Sequence, residues 1–131
     1  MRTKEQFCEL MRQRIREENW RDLFTAGGCY FFALVLHEEL QLPLFFYTSS
    51  HNSNGFGHVF VMRGRECIDY DGKDSIEAFD KRHNCRDQEP QPTNPSEIKM
   101  KIKEKGCWEK LEKEIYEIAK KEFYRQREKY V

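Results

Sequence analysis

The chain has 131 residues, and its 23 Lys and Arg balance its 23 Asp and Glu, so the formal net charge is zero. This length predicts one domain with a core of ordinary size, and the charge balance argues against a general role on nucleic acid or on a membrane surface. Five cysteines without close pairing argue against a disulfide framework and suit a reducing compartment.

The N-terminal segment predicts an amphipathic helix. Within residues 4–18, the apolar side chains recur at helical spacing, at Phe7, Cys8, Leu10, Met11 and Ile15. Acids and bases alternate on the other face, which is more typical of a solvated surface than of an anion-binding one. No apolar run precedes position 20, so we expect neither a signal peptide nor a membrane span. The expected location is cytoplasmic, although an effector or toxin exported by a dedicated machine has the same features.

The next stretch predicts the central helix of the fold. Gly27 and Gly28 precede Cys29, and every residue from Tyr30 to Leu36 is apolar or aromatic. A helix without a polar face must be surrounded by the rest of the domain. Cys29 falls in the first turn, where the N–H groups and the positive end of the helix dipole favour a thiolate. The two glycines permit a sharp turn and keep side chains away from the sulfur.

Three short strands are predicted after this helix, at Pro43–Thr48, His58–Met62 and Glu66–Tyr70. The polar stretch of residues 49–57 between the first two is predicted as a loop. It suits either the rim of a substrate site or an ordinary surface turn.

The turn between the second and third strands decides which residue faces His58. A two-residue loop of Arg63-Gly64 places Asp69 opposite His58, and a loop of Gly64-Arg65 places Asp71 there. A three-residue loop would instead place Tyr70 opposite and turn both aspartates to the other face. The register stays open at this stage.

The following residues predict a brief helix and then a long irregular connection. Asp74 is the predicted N-cap of the helix, and residues 81–95 are polar and rich in proline. His83 and Cys85 lie in this connection, but one ligand pair is weak evidence for a zinc site. We therefore expect no metal and no cofactor.

The C-terminal part predicts helices. Asn94-Pro95-Ser96-Glu97 has the features of a helix start, and Gly106 is expected to interrupt or kink the helical segment. From Trp108 onwards an apolar stripe at Leu111, Ile115, Ala119 and Phe123 predicts an amphipathic helix. We expect this stripe to pack on the core, with a partner-binding or dimerising helix as the rarer alternative.

Three motifs resemble the core of papain-like and transglutaminase-like cysteine enzymes. They are Gly27-Gly28-Cys29, Gly57-His58-Val59-Phe60-Val61 and Ile68-Asp69-Tyr70-Asp71-Gly72. The resemblance covers about residues 20–75. The order Cys, His, Asp and the short separations are similar to those of compact bacterial, phage or effector members. The resemblance implies a hydrolase or acyl transferase acting on an amide or peptide bond of a protein or peptide. It implies Cys29 as nucleophile, His58 as general base and Asp69 as the orienting carboxylate, with Asp71 as the alternative.

The chain also departs from that family. No glutamine stands between Asn19 and Cys29 to form an oxyanion hole, and the Asp-Cys-Ser-Gly signature of cell-wall peptidases is missing. The expected oxyanion or substrate contacts are therefore the backbone N–H of Cys29 together with Gly28, Asn19, Trp20 and Asn54.

The predicted fold is α+β. The Cys29 helix packs on a small antiparallel sheet of three or more strands, with helices at both termini. We expect a single domain, residues 1–131, with its core at about 20–75 and a C-terminal helical extension at about 94–131. The alternative function is a catalytically silent scaffold that binds a protein as an adaptor or inhibitor. In that case Cys29 is expected to be a buried, unreactive thiol.

Overall fold

The computed structural model describes residues 3–49, 52–83, 89–105 and 111–131. The described helices are α1 (Lys4–Arg16), α2 (Trp20–Thr25), α3 (Cys29–Leu40), α4 (Ile76–His83), α5 (Pro95–Lys105) and α6 (Glu112–Arg125), followed by a 3₁₀ turn at Arg127–Lys129. The described strands are β1 (Leu44–Ser49), β2 (Asn52–Arg63), β3 (Glu66–Asp69), β4 (Gly72–Ser75) and β5 (Gln91–Thr93). They form an antiparallel sheet in the order β4-β3-β2-β1-β5. The predicted α+β class is confirmed.

Helix α3 is the centre of the larger core, as its sequence predicts. Every residue from Cys29 to Leu36 is buried. The helix packs against β2 and against α6, and the side chains of Val59 and Ile68 belong to the same apolar cluster. Because this helix has no polar face, burial on all sides is what stabilises it. Within the described ranges, no helix has the length and apolar character needed to cross a membrane.

The sheet separates two groups of core residues. Val59 of β2 joins the cluster around α3, whereas Phe60 joins a smaller cluster with Phe79 of α4. Alternate side chains of a strand point to opposite faces. The ring of His58 contacts the rings of Phe60 and Phe79, so the imidazole lies on the face that α4 covers.

The sheet of five described strands fits the predicted three or more, and it includes two strands that the sequence did not locate. Residues 52–57, predicted as loop, belong to β2 and extend its pairing with β1; residues 50–51 lie outside the described part of the chain. Strand β4 replaces the predicted start of a helix, and β5 lies in the stretch predicted as irregular. Both short strands are polar, so they lack the alternation that identifies a strand from sequence.

The start of α4 also differs from the prediction. Asp74 lies in β4, paired with Cys67, and is not the N-cap. The cap is Ser75, whose Oγ accepts a hydrogen bond from the N–H of Ala78 over 3.2 Å. The prediction failed because Asp and Ser are both good caps and only strand pairing distinguishes between them here.

The C-terminal helices agree with the sequence where they are described. Asn94 caps α5, with its Oδ1 accepting from the N–H of Glu97 over 2.9 Å. The predicted stripe of α6 is buried at Leu111, Ile115, Ala119 and Phe123, and the helix packs on α3. The predicted interruption at Gly106 and the predicted helix residue Trp108 lie outside the described residues.

Candidate active site

The turn before Cys29 requires glycine at two positions for different reasons. Gly27 has a φ of +118°, a conformation that disfavours side chains. Gly28 approaches the main chain of α2 so closely that a Cβ would lie 2.4 Å from the carbonyl oxygen of Leu23. The N–H of Gly28 donates to that same oxygen over 2.8 Å. Cys29 is therefore the first residue of α3, at the positive end of the helix dipole.

The hairpin of β2 and β3 brings a carboxylate to His58. Its turn is Gly64-Arg65, because Arg63 pairs with Glu66. Of the registers predicted, this is the one that places Asp71 across from His58. The ladder ends before His58, however, and the carboxylate that reaches the imidazole is that of Asp69, from a diagonal position.

The imidazole of His58 interacts with this carboxylate and with the thiol of Cys29. The Cys29 side chain acts on the His58 ring, since its interaction with the imidazole is among the causes that raise the pKa of His58. Nε2 of His58 lies 3.1 Å from Oδ2 of Asp69. All three residues are buried, with exposed fractions of 7% for Cys29, 6% for His58 and 3% for Asp69. The structure thus brings together the three residues predicted as nucleophile, base and orienting carboxylate.

The interactions of His58 and Asp69 shift the pKa of each residue in the direction that favours its charged form, the imidazolium and the carboxylate. Burial alone would lower the pKa of His58, but its hydrogen bonds to Asp69 and Cys29 raise that pKa to about 9. Burial would likewise raise the pKa of Asp69, but hydrogen bonds from His58 and His83, together with the charge of Arg82, lower it well below its ordinary value. The carboxylate is therefore ionised at neutral pH and can only accept hydrogen bonds.

The remaining acceptor positions of Asp69 are also used. Oδ1 accepts from the N–H of Asp71 over 3.0 Å and from Nη2 of Arg82 over 3.4 Å. The side chain of Asp71 forms ion pairs with Arg21 at 3.1 Å and with Arg82 at 3.0 Å. These bonds hold the carboxylate of Asp69 in one orientation toward the imidazole.

His83 is a member of this site that the sequence did not predict. Its Nε2 lies 3.2 Å from Oδ2 of Asp69, the same oxygen that His58 contacts. Its ring stacks on that of His58, with centroids 4.2 Å apart, and contacts the ring of Phe79 at 4.4 Å. The sequence signal was the spacing of Phe79 and His83, four residues apart on one helix face. One ligand atom from each of His58, Asp69 and His83 lies within 4.8 Å of the others, so these three could hold a metal ion.

The other residues predicted for the site have local partners. The side chain of Asn19 caps α2, with Oδ1 accepting from the N–H of Asp22 over 3.4 Å and Nδ2 donating to its carboxylate over 2.9 Å. Trp20 is half-buried and packs on the main core. The described residues do not include the side chain of Asn54 or any part of Cys85.

Comparison of the chain with protein-family models, with curated proteins and with solved structures finds no match. The function must therefore be inferred from the chemistry and geometry of these residues.

Proposed function

We propose that the protein is a cysteine-dependent hydrolase or acyl transferase that acts on an amide or peptide bond of a protein or peptide. Cys29 is the nucleophile, His58 the general base and Asp69 the carboxylate that orients the imidazole. The observation that carries the proposal is the buried pair of His58 and Asp69, whose imidazole and carboxylate lie 3.1 Å apart, together with the influence of the Cys29 side chain on that imidazole. Such an arrangement activates a nucleophile that is weak by itself.

The reaction follows from the roles of these groups. His58 takes the proton of the Cys29 thiol, and the thiolate sulfur attacks the carbonyl carbon of the substrate. When the C–N bond breaks, His58 gives its proton to the leaving amine, and the acyl group remains on the sulfur as a thioester. Water then attacks the thioester with His58 as base, which releases the acid and restores the thiol. An amine in place of water gives transfer instead of hydrolysis.

The surroundings of Asp69 support its role. A carboxylate can fix the imidazole tautomer only if it is itself held in place. The N–H of Asp71 and the guanidinium of Arg82 both donate to Oδ1, so Oδ2 is directed at His58. The placement of Cys29 at the start of α3 adds the favourable field of the helix dipole to the stabilisation of a thiolate.

The competing function is a catalytically silent scaffold that binds a protein partner. The observation in its favour is that Cys29 is only 7% exposed. The two functions differ in the reactivity of the thiol, because a silent scaffold has no need of an ionised sulfur.

The deciding experiment is iodoacetamide labelling of the native protein at pH 7 in a buffer with chelator, read for each cysteine by mass spectrometry. Cys8 is the internal reference, because its exposure of 6% is close to the 7% of Cys29. Cys67 is a second reference, since burial raises its pKa to about 12. We expect Cys29 to react at least about tenfold faster than Cys8, because the thiolate is the reactive form and an imidazole beside the sulfur favours it.

Two variants complete the test. His58→Ala should remove the advantage of Cys29 over Cys8, whereas His37→Ala should leave it in place, since the His37 ring contacts the carbonyl oxygen of Leu42 at the other end of α3. If Cys29 of the native protein reacts no faster than Cys8, the enzyme proposal is wrong and the silent scaffold replaces it.

A further inference from the structure

We propose that His58, Asp69 and His83 form a binding site for one Zn²⁺ ion. This inference goes beyond the proposed function and does not depend on it, because it concerns Nε2 of His58, Nε2 of His83 and Oδ2 of Asp69 and makes no use of the Cys29 thiol. The sequence predicts no metal, and it offers Cys85 as a candidate ligand partner of His83. The structure instead places His83 beside Asp69 and His58.

The distances between the ligand atoms fit a tetrahedral ion. Zn–N and Zn–O bonds of about 2.0–2.2 Å at tetrahedral angles place ligand atoms about 3.3 Å apart. Oδ2 of Asp69 lies 3.1 Å from Nε2 of His58 and 3.2 Å from Nε2 of His83. All three ligand atoms lie within 4.8 Å of one another. A small closure of the two rings around one ion therefore completes the geometry.

The ion would replace two protons. Nε2 of His58 and Nε2 of His83 each share a hydrogen bond with Oδ2 of Asp69, and an ion bound among these atoms would take the place of the two bridging protons. On binding, each Nε2 uses its lone pair for the ion and its proton leaves the site. Two imidazole nitrogens and one carboxylate oxygen favour Zn²⁺ over Mg²⁺ or Ca²⁺, which prefer all-oxygen ligands.

The charges around the ligands are compatible with a cation. Among the described residues Arg82 is the positive group that contacts Asp69, and it does so through Oδ1, 3.4 Å from its Nη2. It is also paired with Asp71 at 3.0 Å and with Asp74 at 3.2 Å. These bonds act as the outer hydrogen bonds that orient a metal-binding carboxylate.

The three ligands leave a route by which the ion can enter and one coordination position of the ion open. The side chain of His83 is 19% exposed, compared with 8% for His58 and 3% for Asp69. The ion can therefore enter from the His83 side. Three protein ligands leave a fourth coordination position for water or another small ligand.

The test is titration of chelator-treated protein with Co²⁺, which replaces Zn²⁺ and absorbs visible light when coordinated tetrahedrally. We expect saturation at one equivalent, displacement by Zn²⁺ and no displacement by excess Mg²⁺. The near-ultraviolet thiolate-to-cobalt band should be absent. A strong band of that kind would overturn the ligand set, because it would identify a cysteine as ligand. Absence of any one-to-one binding would overturn the site.

Variants assign the ligands. Asp69→Asn and His83→Gln should each weaken Co²⁺ binding at least tenfold, since loss of even an outer-sphere partner commonly costs about 10–100-fold. His37→Gln and Cys85→Ser are the matched controls and should change the affinity less than about threefold. Loss of binding in Cys85→Ser with retention in Asp69→Asn would overturn the proposal in favour of a His83–Cys85 pair.

A second measurement guards against variants that fold poorly. Zn²⁺ that binds the native state alone raises the melting temperature, so the wild type and His37→Gln should show a Zn²⁺-dependent increase that His83→Gln lacks. An equal Zn²⁺-dependent increase in the melting temperature of all three proteins would overturn the site. Neither readout depends on the reactivity of Cys29, so failure of the metal site and failure of the enzyme proposal are separate results.

Discussion

The hydroxyl of Tyr130 donates a hydrogen bond to the carbonyl oxygen of Tyr70 over 2.8 Å. Tyr70 directly follows Asp69 in the chain, and its own hydroxyl donates to Oε1 of Glu122 over 2.7 Å. Tyr130, Tyr70 and Glu122 are all buried. The C-terminal helix and the turn after it are thus connected to the end of the strand that carries the carboxylate of the candidate site.

This connection predicts the effect of Tyr130→Phe. The variant keeps the ring of a fully buried residue and leaves a buried carbonyl oxygen without this donor. We expect the free energy of unfolding to fall by about 1–2 kcal/mol, and the melting temperature by roughly 3–8 °C for a domain of this size. Thermal unfolding followed by circular dichroism measures this change.

Tyr124→Phe is the matched control. It also removes a tyrosine hydroxyl, which donates to Glu39 over 2.6 Å, but Tyr124 is 57% exposed. Water can replace that bond, so the change should stay within about 0.5 kcal/mol. Equal losses in the two variants would contradict the role assigned to Tyr130.

Glu122 predicts a change of stability with pH. Hydrogen bonds from Arg125 and, against the effect of burial, from Tyr70 hold its pKa below the ordinary value of 4.5. A carboxyl with a lowered pKa in the folded state contributes stability above its unfolded pKa, and that contribution is lost as the pH falls through the folded pKa. We therefore expect the free energy of unfolding of the wild type to be larger than that of Glu122→Gln by about 1–2 kcal/mol at pH 7. This difference should shrink below about pH 4.5.

The control is Glu117→Gln, which removes an exposed carboxylate from the same helix. Urea unfolding of wild type and both variants at a series of pH values measures the effect. If the free energy of unfolding changes with pH in the same way for wild type and Glu122→Gln down to acid pH, Glu122 gains no stability from its partners.

The parts of the fold that local patterns encode could be predicted from the sequence. The apolar run from Tyr30 to Leu36 requires a buried helix, and Gly27-Gly28 before it locates the start of that helix. The turn at Gly64 joins two segments of strand-forming residues. Strands β4 and β5 could not be predicted, because each is stabilised by pairing with a neighbouring strand and not by its own composition.

The candidate site could be predicted only in part, for a related physical reason. Cys29, His58 and Asp69 were identifiable as chemically capable residues in a suitable order. The choice between Asp69 and Asp71 depends on a contact outside the regular strand pairing. Asp69 contacts His58 diagonally, beyond the last paired residues of β2 and β3. The place of His83 depends on how α4 lies on the sheet, which brings its ring onto that of His58 and which no local pattern describes.

Gly28→Ala should disturb both the stability and the candidate nucleophile. The new Cβ would lie 2.4 Å from the carbonyl oxygen of Leu23, and a backbone atom cannot move aside as a flexible side chain does. We expect a loss of about 1–3 kcal/mol, as for overpacked cores, and a slower labelling of Cys29, because the start of α3 must shift.

Gly64→Ala separates these two effects. Gly64 has a φ of +62°, and a methyl group added there would have no atom within 4 Å, so the cost is backbone strain alone, of about 1–2 kcal/mol. Its Cys29 labelling rate should equal that of wild type. If Gly28→Ala labels at the wild-type rate too, the close approach of Gly28 does not position the thiol.

The two aspartates of the hairpin predict opposite results when each is replaced by asparagine. Asp69→Asn removes the charge that stabilises a protonated His58, and with it part of the stabilisation of the Cys29 thiolate. We expect the labelling rate of Cys29 at pH 7 in the presence of chelator to fall at least about tenfold, since such a carboxylate fixes the working tautomer of the imidazole. Circular dichroism establishes that the variant is folded.

Asp71→Asn is the matched control, and it removes a carboxylate two residues away that faces Arg21 and Arg82. The backbone N–H of Asp71, which donates to Asp69, stays in place. The side chain of Arg21 is 72% exposed, so the lost ion pairs should cost no more than about 1 kcal/mol, and the labelling rate should change less than about threefold. The reverse order of effects would make Asp71 the third member of the site, because the register of the hairpin places that residue across from His58.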